Sequence, residues 1–299
     1  MSKEVRLEVA NEFILSGSSV KTVLKSCSIA RSSYYYKATQ GKSGRKPYAV
    51  LLNGKGDKIE ACQVIGALEG LFEKPFVDYG YYKSYIYLRD ELGFKVSKHS
   101  VYKLMKESGL LQRRYATSSE RGKRNWVKEL IPQTQVPFDY WEFDIKYVWI
   151  AGRGKSMQVL TVLDVNSRWN LGQHCAYGIK KEDVISLFDS LFESYDLPKG
   201  ICVRSDNGSQ FISAEVQEYL RGKHVRQEFT KPATPQQDAH IEAYHSIMES
   251  SVCQRFEFSD LNMARKTLEE FRNFYNFERI HGGIDFQSPC KYLLRHGID

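Results

Sequence analysis

The sequence predicts an α/β domain preceded by helical units, and three observations support this prediction. A run of aromatic and β-branched residues from Tyr140 to Ile150 opens a series of strand patterns. Helical periodicities alternate with short apolar strands over the rest of the second half. The front of the chain carries only short helical patterns separated by Gly and Ser. A chain of 299 residues is long enough for several domains of this kind.

Composition excludes several classes of protein. With 42% hydrophobic and 26% charged residues, the chain is ordinary globular protein. No segment approaches the ~18–20 uncharged apolar residues of a membrane span, and the N-terminus lacks the apolar core of a secretory signal. The six cysteines show neither a CxxC pair nor zinc spacing, which argues against disulfides and zinc fingers. We expect a soluble, cytoplasmic protein with no membrane partner.

Positive charge is concentrated in the front half. Residues 1–130 contain 24 Lys and Arg against 13 Asp and Glu, a balance of +11. Residues 131–299 contain 19 against 23, a balance of −4, and the two halves give the net +7. This asymmetry indicates polyanion binding in front and cation-dependent chemistry behind. A basic surface that is merely solvated would give the same sums, so charge alone leaves both readings open.

The first 40 residues predict a helix-turn-helix-like unit. Apolar residues recur at helical spacing from Val5 to Ile14, and Gly17 begins a break before the next helix. The last element carries hydroxyl groups together with Arg31 and Lys37, a composition suited to a DNA reader. A plain three-helix bundle would look the same.

A linker and a connecting helix are expected over residues 41–74, and a second helical DNA-binding unit over 75–112. The linker prediction rests on the Gly, Lys and Ser content from Thr39 to Lys58. In the second unit Gly93 stops one helix and Ser97 can cap the next. A basic linker at 113–135 is suited to lying along a phosphate backbone. Its candidate DNA-binding residues are Arg113, Arg114, Arg121, Lys123 and Arg124.

The α/β core is predicted over residues 136–255, with a C-terminal helical segment over 256–299. Three strand patterns come first, and helices alternating with short strands follow, which is the order of a ribonuclease-H-like layer fold. The predicted strands are 140–150, 157–165, 168–177, 201–205 and 225–229. The predicted helices are 181–195, 213–221, 235–252 and 260–278.

Two aspartates lie at sequence positions that suggest a functional role for the carboxylate. Asp144 lies inside the first strand between apolar neighbours, where an ionised group costs desolvation energy unless a partner or a metal offsets it. Asp206 ends a short apolar strand, and an Asn-Gly turn follows it directly. Open α/β sheets place ligands at the carboxyl ends of their strands, so Asp206 is a candidate ligand-binding residue.

Glu242 is the third candidate, on a helix with a clear start. Thr234 can cap this helix, Pro235 suits its first position, and Gln237 completes a capping box. Three carboxylates at one place suit Mg²⁺, and two such ions ~3.5–4 Å apart can serve an in-line phosphoryl displacement. The predicted buried stripe of the helix is Ile241, Tyr244, Met248 and Val252.

The blocks around these acids resemble the signatures of the DDE integrase-transposases. Thirty-five residues separate Asp206 from Glu242, which is that family's spacing. The sequence is most similar to the insertion-sequence 3 group, specifically its OrfB-type catalytic subunit. The matching blocks are WEFDIKYV (141–148), RSDNGSQF (204–211), TPQQDAHIE (234–242), YNFERIHGGIDFQSP (275–289) and the helical unit from 79 to 111.

The resemblance implies a DNA transposase. Asp144, Asp206 and Glu242 would be catalytic ligands of two Mg²⁺ ions, with Mn²⁺ as a substitute, in strand cleavage and strand transfer at terminal inverted repeats. The route would be copy-out, paste-in, through a circular DNA. Asn207 would shape the loop beside the scissile phosphate, and Lys231 or Thr234 would touch the DNA backbone.

The resemblance also implies partners. They would be double-stranded DNA of the terminal repeats and the target, a homodimer or larger assembly, and an OrfA-type subunit, with the protein associated with the nucleoid. A DNA-binding relic or repressor without activity, and a ribonuclease H acting on RNA–DNA hybrids, are the alternatives. An intact acid triad argues against the relic, and the basic front half argues against the ribonuclease.

One position departs from the group's pattern. The group commonly has Lys or Arg seven positions after the glutamate, where this chain has Glu249. A negative charge there should repel phosphate, so we expect the DNA contact to come from elsewhere. His245 is one candidate, although a partly exposed helical histidine without a function would look the same. Asp164 and Asp238 are expected to be structural.

Overall fold

A computed structural model of the chain describes residues 3–35, 50–53, 55–111, 132, 134–230 and 238–298. Contacts divide the chain into two compact units, Met1–Pro47 and Tyr48–Asp299. No described helix is long and apolar enough to cross a membrane. Several predicted DNA-binding residues lie outside the described residues: Lys37, Arg113, Arg114, Arg121, Lys123, Arg124, Lys231 and Thr234.

The N-terminal unit contains three short helices, as the sequence predicts. They are α1 (Lys3–Leu15), α2 (Val20–Ser26) and α3 (Arg31–Tyr34), which pack around Ala10 and Leu24. Arg31 is exposed, and its guanidinium lies 5.7 Å from the centre of the Tyr35 ring. Its contact with DNA therefore stays a prediction.

The second helical unit begins earlier than the sequence predicts. It contains β1 (Val50–Asn53), β2 (Lys58–Glu60), α4 (Ala61–Glu73), α5 (Tyr81–Asp90), β3 (Phe94–Lys95) and α6 (Lys98–Glu107). The three strands form an antiparallel sheet in the order β2-β1-β3. The predicted linker is therefore wrong from residue 50 onwards, because Leu51 packs with Leu68 and Val101 in one core. The predicted cap is confirmed, since Ser97 Oγ accepts from the Ser100 amide.

The α/β core is built on a five-stranded sheet in the order β6-β5-β4-β7-β8. Its strands are β4 (Tyr140–Ile150), β5 (Lys155–Asp164), β6 (Asn170–Ala176), β7 (Cys202–Ser205) and β8 (Arg226–Phe229). The strands β4, β5 and β6 are antiparallel, whereas β7 and β8 run parallel to β4. The predicted strand order and the ribonuclease-H-like layer fold are confirmed.

Helices cover both faces of this sheet. On one face Trp141 and Phe143 pack with Phe188 and Val216, which come from α7 (Lys181–Ser194) and α8 (Ala214–Gly222). On the other face Val148 and Ile150 pack beneath further helices. The helical elements of the C-terminal part that pack there are α9 (Ala239–Met248), a π-helical turn (Glu249–Cys253), α10 (Leu261–Asn273) and a second π-helical turn (Phe274–Glu278). A 3-10 turn (Gly282–Ile284) and α11 (Pro289–Arg295) follow, and Leu293 of α11 packs with the cluster of Trp141 and Phe188.

The C-terminal helices belong to the core rather than to a separate segment. Phe271 and Tyr275 are buried in the same cluster as Val148 and Val159 of the sheet. Arg272 donates to the Leu171 carbonyl at 2.9 Å, so α10 satisfies polar backbone groups of the edge strand β6. The predicted boundary at residue 255 is therefore wrong.

A buried ion pair connects the second helical unit to this core. Asp78 pairs with Arg279, whose side chain is only 3% exposed, and Ser250 Oγ also donates to Asp78. Beside the pair, Tyr79 Oη accepts from the Ile280 amide at 2.9 Å. The segment that follows α4 is thereby fixed against the end of α10.

Candidate active site

Asp144 lies on β4, and Asp206 lies just beyond the end of the adjacent parallel strand β7. Strands β4 and β7 pair with Glu142 opposite Arg204, and the two aspartates lie two residues further along. Side chains alternate between the faces of a strand, so Asp144 points to the same face as Glu142. Asp206 follows the last residue of β7, Ser205. The structure therefore brings both aspartates together beside the carboxyl end of β7.

The loop after β7 holds Asp206 by backbone contacts. The Gly208 amide donates to Asp206 Oδ1 at 2.9 Å, and a Cβ added to Gly208 would lie 2.6 Å from the Gln210 amide nitrogen. A larger residue at position 208 would therefore require the Gln210 side chain to move. Asn207 Nδ2 donates to the Thr230 carbonyl at 2.8 Å, which ties the loop to the end of β8. Asn207 thus shapes the loop as expected, and its contact with DNA stays a prediction.

Helix α9 presents Glu242 beside the aspartates. The predicted buried stripe is confirmed, since its residues are fully buried against β4 and β5, whereas Glu242 itself is exposed. Burial, followed by the charges of Asp144 and Glu142, raises the pKa of Glu242. Burial and the charge of Asp144 also raise the pKa of Asp206. Asp144 therefore interacts electrostatically with both other acids of the predicted triad.

A buried glutamate on β4 fixes the start of α9. Glu142 is 0% exposed and accepts from the backbone amides of His240 at 3.0 Å and Ile241 at 2.8 Å. The first amides of a helix have no partners within the helix, and a carboxylate there is also favoured by the helix dipole. The predicted cap Thr234 lies outside the described residues. Glu142 was not predicted as a site residue. Its position two residues before Asp144 on an apolar strand would have placed it on the same face as Asp144.

Asp238, for which the sequence predicts a structural role, is a further acid close to these residues. Its side chain makes no capping hydrogen bond, and its Oδ1 is buried without a described partner. Burial and then the charge of Glu142 raise its pKa to about 7, with Asp144 and Asp206 contributing further. Asp238 therefore faces the triad electrostatically.

Asp164 has the structural role that the sequence predicts. It is fully buried and accepts from the Phe138 amide and from both the amide and the hydroxyl of Ser167. These bonds hold the turn between β5 and β6.

His245 faces Asp144 rather than solvent. Its ring is only 9% exposed, and Nδ1 lies 3.4 Å from Asp144 Oδ2. Its Nε2 is buried and has no hydrogen-bond partner within the described part of the chain. The alternative of a partly exposed histidine is therefore wrong, and the contact of His245 with DNA stays a prediction. The ring is placed to hold one carboxylate oxygen of Asp144.

Glu249 is neutralised by a lysine of the sheet. Lys146 Nζ lies 2.9 Å from Glu249 Oε2, and this contact lowers the pKa of Glu249. Lys146 is two residues beyond Asp144 on β4 and points to the same face. The negative charge at position 249 is therefore offset locally.

The donor set fits a hard divalent cation. Three carboxylates beside the carboxyl end of β7 offer the oxygen ligands that Mg²⁺ prefers. Burial first, and then the charge of Asp144, raise the pKa values of Asp206 and Glu242, and a cation would offset both effects. Within the described ranges, no three His, Cys, Asp or Glu side chains form a group that could hold a metal ion. The residue types fit Mg²⁺, although the described side chains are not gathered closely enough to form a metal-binding group.

Comparison with protein families matches most of the second unit. One integrase core domain model matches residues 135–235, and a second integrase core domain model matches 223–289. An HTH-like domain model matches residues 62–117, which agrees with a second helical unit that begins before residue 75. These matches define an integrase-type protein with a helix-turn-helix-like domain in front of its core.

The chain is also similar to individual proteins. A 31.7 kDa protein of insertion element IS407 from Burkholderia multivorans is 24% identical over 221 residues, which cover 73% of this chain and 76% of that protein. The transposase of insertion sequence element IS904 from Lactococcus lactis is 24% identical, covering 66% of this chain and 80% of its own. A simian T-cell lymphotropic virus intasome structure is 12% identical with a TM-score of 0.46, covering 72% and 70%. The two integrase core domain models together cover residues 135–289, so the chain contains an integrase core and is similar to proteins of insertion elements.

Proposed function

We propose that this chain is a DNA transposase that cleaves the terminal inverted repeats of an insertion sequence and transfers the DNA strand, with Mg²⁺ as cofactor. The observation that carries the proposal is the proximity of Asp144 on β4 to Asp206, which follows the adjacent strand β7, and to Glu242 of α9. Oxygen ligands of this kind hold the divalent cations used in phosphoryl transfer.

The chain's own residues would act by positioning. Asp144, Asp206 and Glu242 would hold two Mg²⁺ ions, which supply charge stabilisation for an in-line displacement at phosphorus. Water or a DNA 3′ hydroxyl would form the new P–O bond while the scissile P–O3′ bond breaks, so no Ser or Cys nucleophile is required. Gly208 holds Asp206, and Glu142 holds the helix of Glu242.

The proposed substrate determines the partners. Double-stranded DNA of the two terminal repeats and of the target would bind the helical units and the basic linker. Joining two ends requires at least two protomers, so we propose a homodimer or larger assembly on DNA. An OrfA-type subunit and association with the nucleoid are proposed on the resemblance alone.

Metal dependence tests the proposal directly. With duplexes of candidate terminal repeats, Mg²⁺ should give nicking at the element's end and strand-transfer products, and EDTA should give neither. Binding should fall on the order of 10³-fold between 50 and 200 mM salt if six or more phosphates are neutralised. An RNA–DNA hybrid of the same sequence serves as the comparison substrate. Cleavage of the hybrid alone would replace the transposase proposal with a ribonuclease.

Replacing His245 should weaken Mg²⁺ use without abolishing folding. In His245→Phe the polar contact with Asp144 is lost, and the Mg²⁺ concentration for half-maximal cleavage should rise roughly 10-fold, as for other residues that orient a metal ligand. His245→Asn can place an amide near the position of Nδ1 and should lose less. His296→Phe, at an exposed histidine of the C-terminus, is the control. Equal Mg²⁺ dependence in wild type and His245→Phe would contradict this role.

A further inference from the structure

Lys146 lies beside the proposed catalytic centre at an open part of the sheet. Strand β7 pairs with β4 only from Tyr140 to Glu142, so in the described part of the chain β4 has no strand neighbour on that side at Asp144 and Lys146. Two residues along a strand span ~6.7 Å, so the ammonium group of Lys146 is within one side-chain length of Asp144.

The ammonium group of Lys146 forms an ion pair that does not occupy all of its hydrogen-bond donors. Lys146 Nζ contacts Glu249 Oε2 at 2.9 Å, and the side chains are 19% and 42% exposed. An ammonium group has three donors, and this ion pair needs only one of them. Lys146 can therefore keep its contact with Glu249 and donate to a second anion from the solvent side.

The surroundings of Lys146 make such an anion contact valuable. The site gathers the carboxylates of Glu142, Asp144, Asp238 and Glu242, which would repel an approaching phosphate. Bound divalent cations would offset charge only at the scissile phosphate. The next phosphate of the strand needs a separate cation, and Lys146 stands next to Asp144 on the same face.

We propose that Lys146 binds a DNA phosphate that flanks the scissile bond, using a donor that its ion pair with Glu249 leaves available. This inference rests on the proposed function, because it takes the site of Asp144 as the place where DNA is cut. The alternative is that the ion pair only braces the π-helical turn against β4.

The phosphate contact and the brace predict different changes in DNA affinity when Lys146 or Glu249 is replaced by a neutral residue. Only the phosphate contact predicts changes of opposite sign. Lys146→Gln and Glu249→Gln remove the same ion pair, so a brace alone would make both variants alike. If Lys146 binds phosphate, Lys146→Gln should weaken DNA binding, whereas Glu249→Gln removes a nearby negative charge, leaves the lysine, and should strengthen it. The sign difference does not depend on how much stability the pair contributes.

The experiment measures binding of a terminal-repeat duplex in EDTA from 50 to 200 mM salt, using the full chain. Lys146→Gln should lower affinity roughly 10-fold and reduce the slope of log K against log salt by about 0.9, the value for one phosphate contact. Glu249→Gln should raise affinity a few-fold with the wild-type slope. Lys223→Gln is the matched control, because Lys223 forms a comparable ion pair with Asp189 at 3.0 Å, on helices that cover the other face.

Each outcome of this binding experiment either supports or overturns the phosphate contact of Lys146. A Lys146→Gln slope equal to that of wild type, or effects of the same sign in both neutral variants, would overturn the inference. Binding needs no catalysis, so the failure of each proposal is recognisable. A chain that shows the Lys146-dependent slope but never cuts DNA with Mg²⁺ overturns only the proposed function. A chain that cuts while Lys146→Gln binds like Lys223→Gln overturns only the phosphate contact.

Discussion

Replacing Asp206 with asparagine should abolish cleavage and strand transfer while leaving DNA binding largely intact. The amide keeps the size of the side chain but removes a charged ligand that a divalent cation needs, and metal ions contribute several kcal/mol to such reactions. A loss of at least about 10³-fold in the cleavage rate is therefore expected. The measurement is the single-turnover rate on a terminal-repeat duplex, with binding followed in parallel.

The control for this change is an acid away from the site. Asp196 is exposed in the loop after α7, and Asp196→Asn should cut at the wild-type rate. The Gly208 amide can still donate to the side-chain oxygen of an asparagine at position 206, so the loop should keep its shape. Normal cutting by Asp206→Asn would remove Asp206 from the proposed metal ligands.

The strand order of the core could be predicted because its signals are local. Runs of aromatic and β-branched residues indicate β4 and β5, and short turns delimit the later strands. Each strand can therefore be predicted from about ten consecutive residues. The hairpin of β1 and β2 was missed for a physical reason. Its turn is rich in Gly and Lys, and Asn53 Oδ1 organises it by accepting from the amides of Lys55 and Asp57. Composition alone reads such a turn as a linker.

The acids of the triad could be predicted from the sequence, but the contacts that support them could not. Asp144, Asp206 and Glu242 stand out by their placement in apolar or turn sequences. The partners that hold the site come from distant parts of the chain: Glu142 and the His240 amide are 98 positions apart. Lys146 likewise meets Glu249 only through the packing of α9 on the sheet. Periodicity predicts which face a residue occupies, and it cannot predict which charge another element will place there.

Replacing Glu142 with alanine should have the largest effect on stability at this site. The change leaves the amides of His240 and Ile241 buried or half-buried without their acceptor and opens a cavity under α9. Hydrogen bonds to a charged group contribute about 1.5–3 kcal/mol each, so the free energy of unfolding should fall by about 3 kcal/mol. Urea unfolding measures this directly.

The same substitution should also lower activity, because the first turn of α9 carries Glu242. Glu142→Gln separates the two effects, since its amide oxygen can replace Oε2, which accepts from both backbone amides, and its volume fills the cavity. It should therefore lose less stability than Glu142→Ala. Glu215→Ala, at an exposed residue of α8 that pairs with Lys181, should leave both stability and cutting unchanged. If Glu142→Ala were as stable as Glu215→Ala, the carboxylate would not be what fixes α9 on β4, and the placement of Glu242 would need another cause.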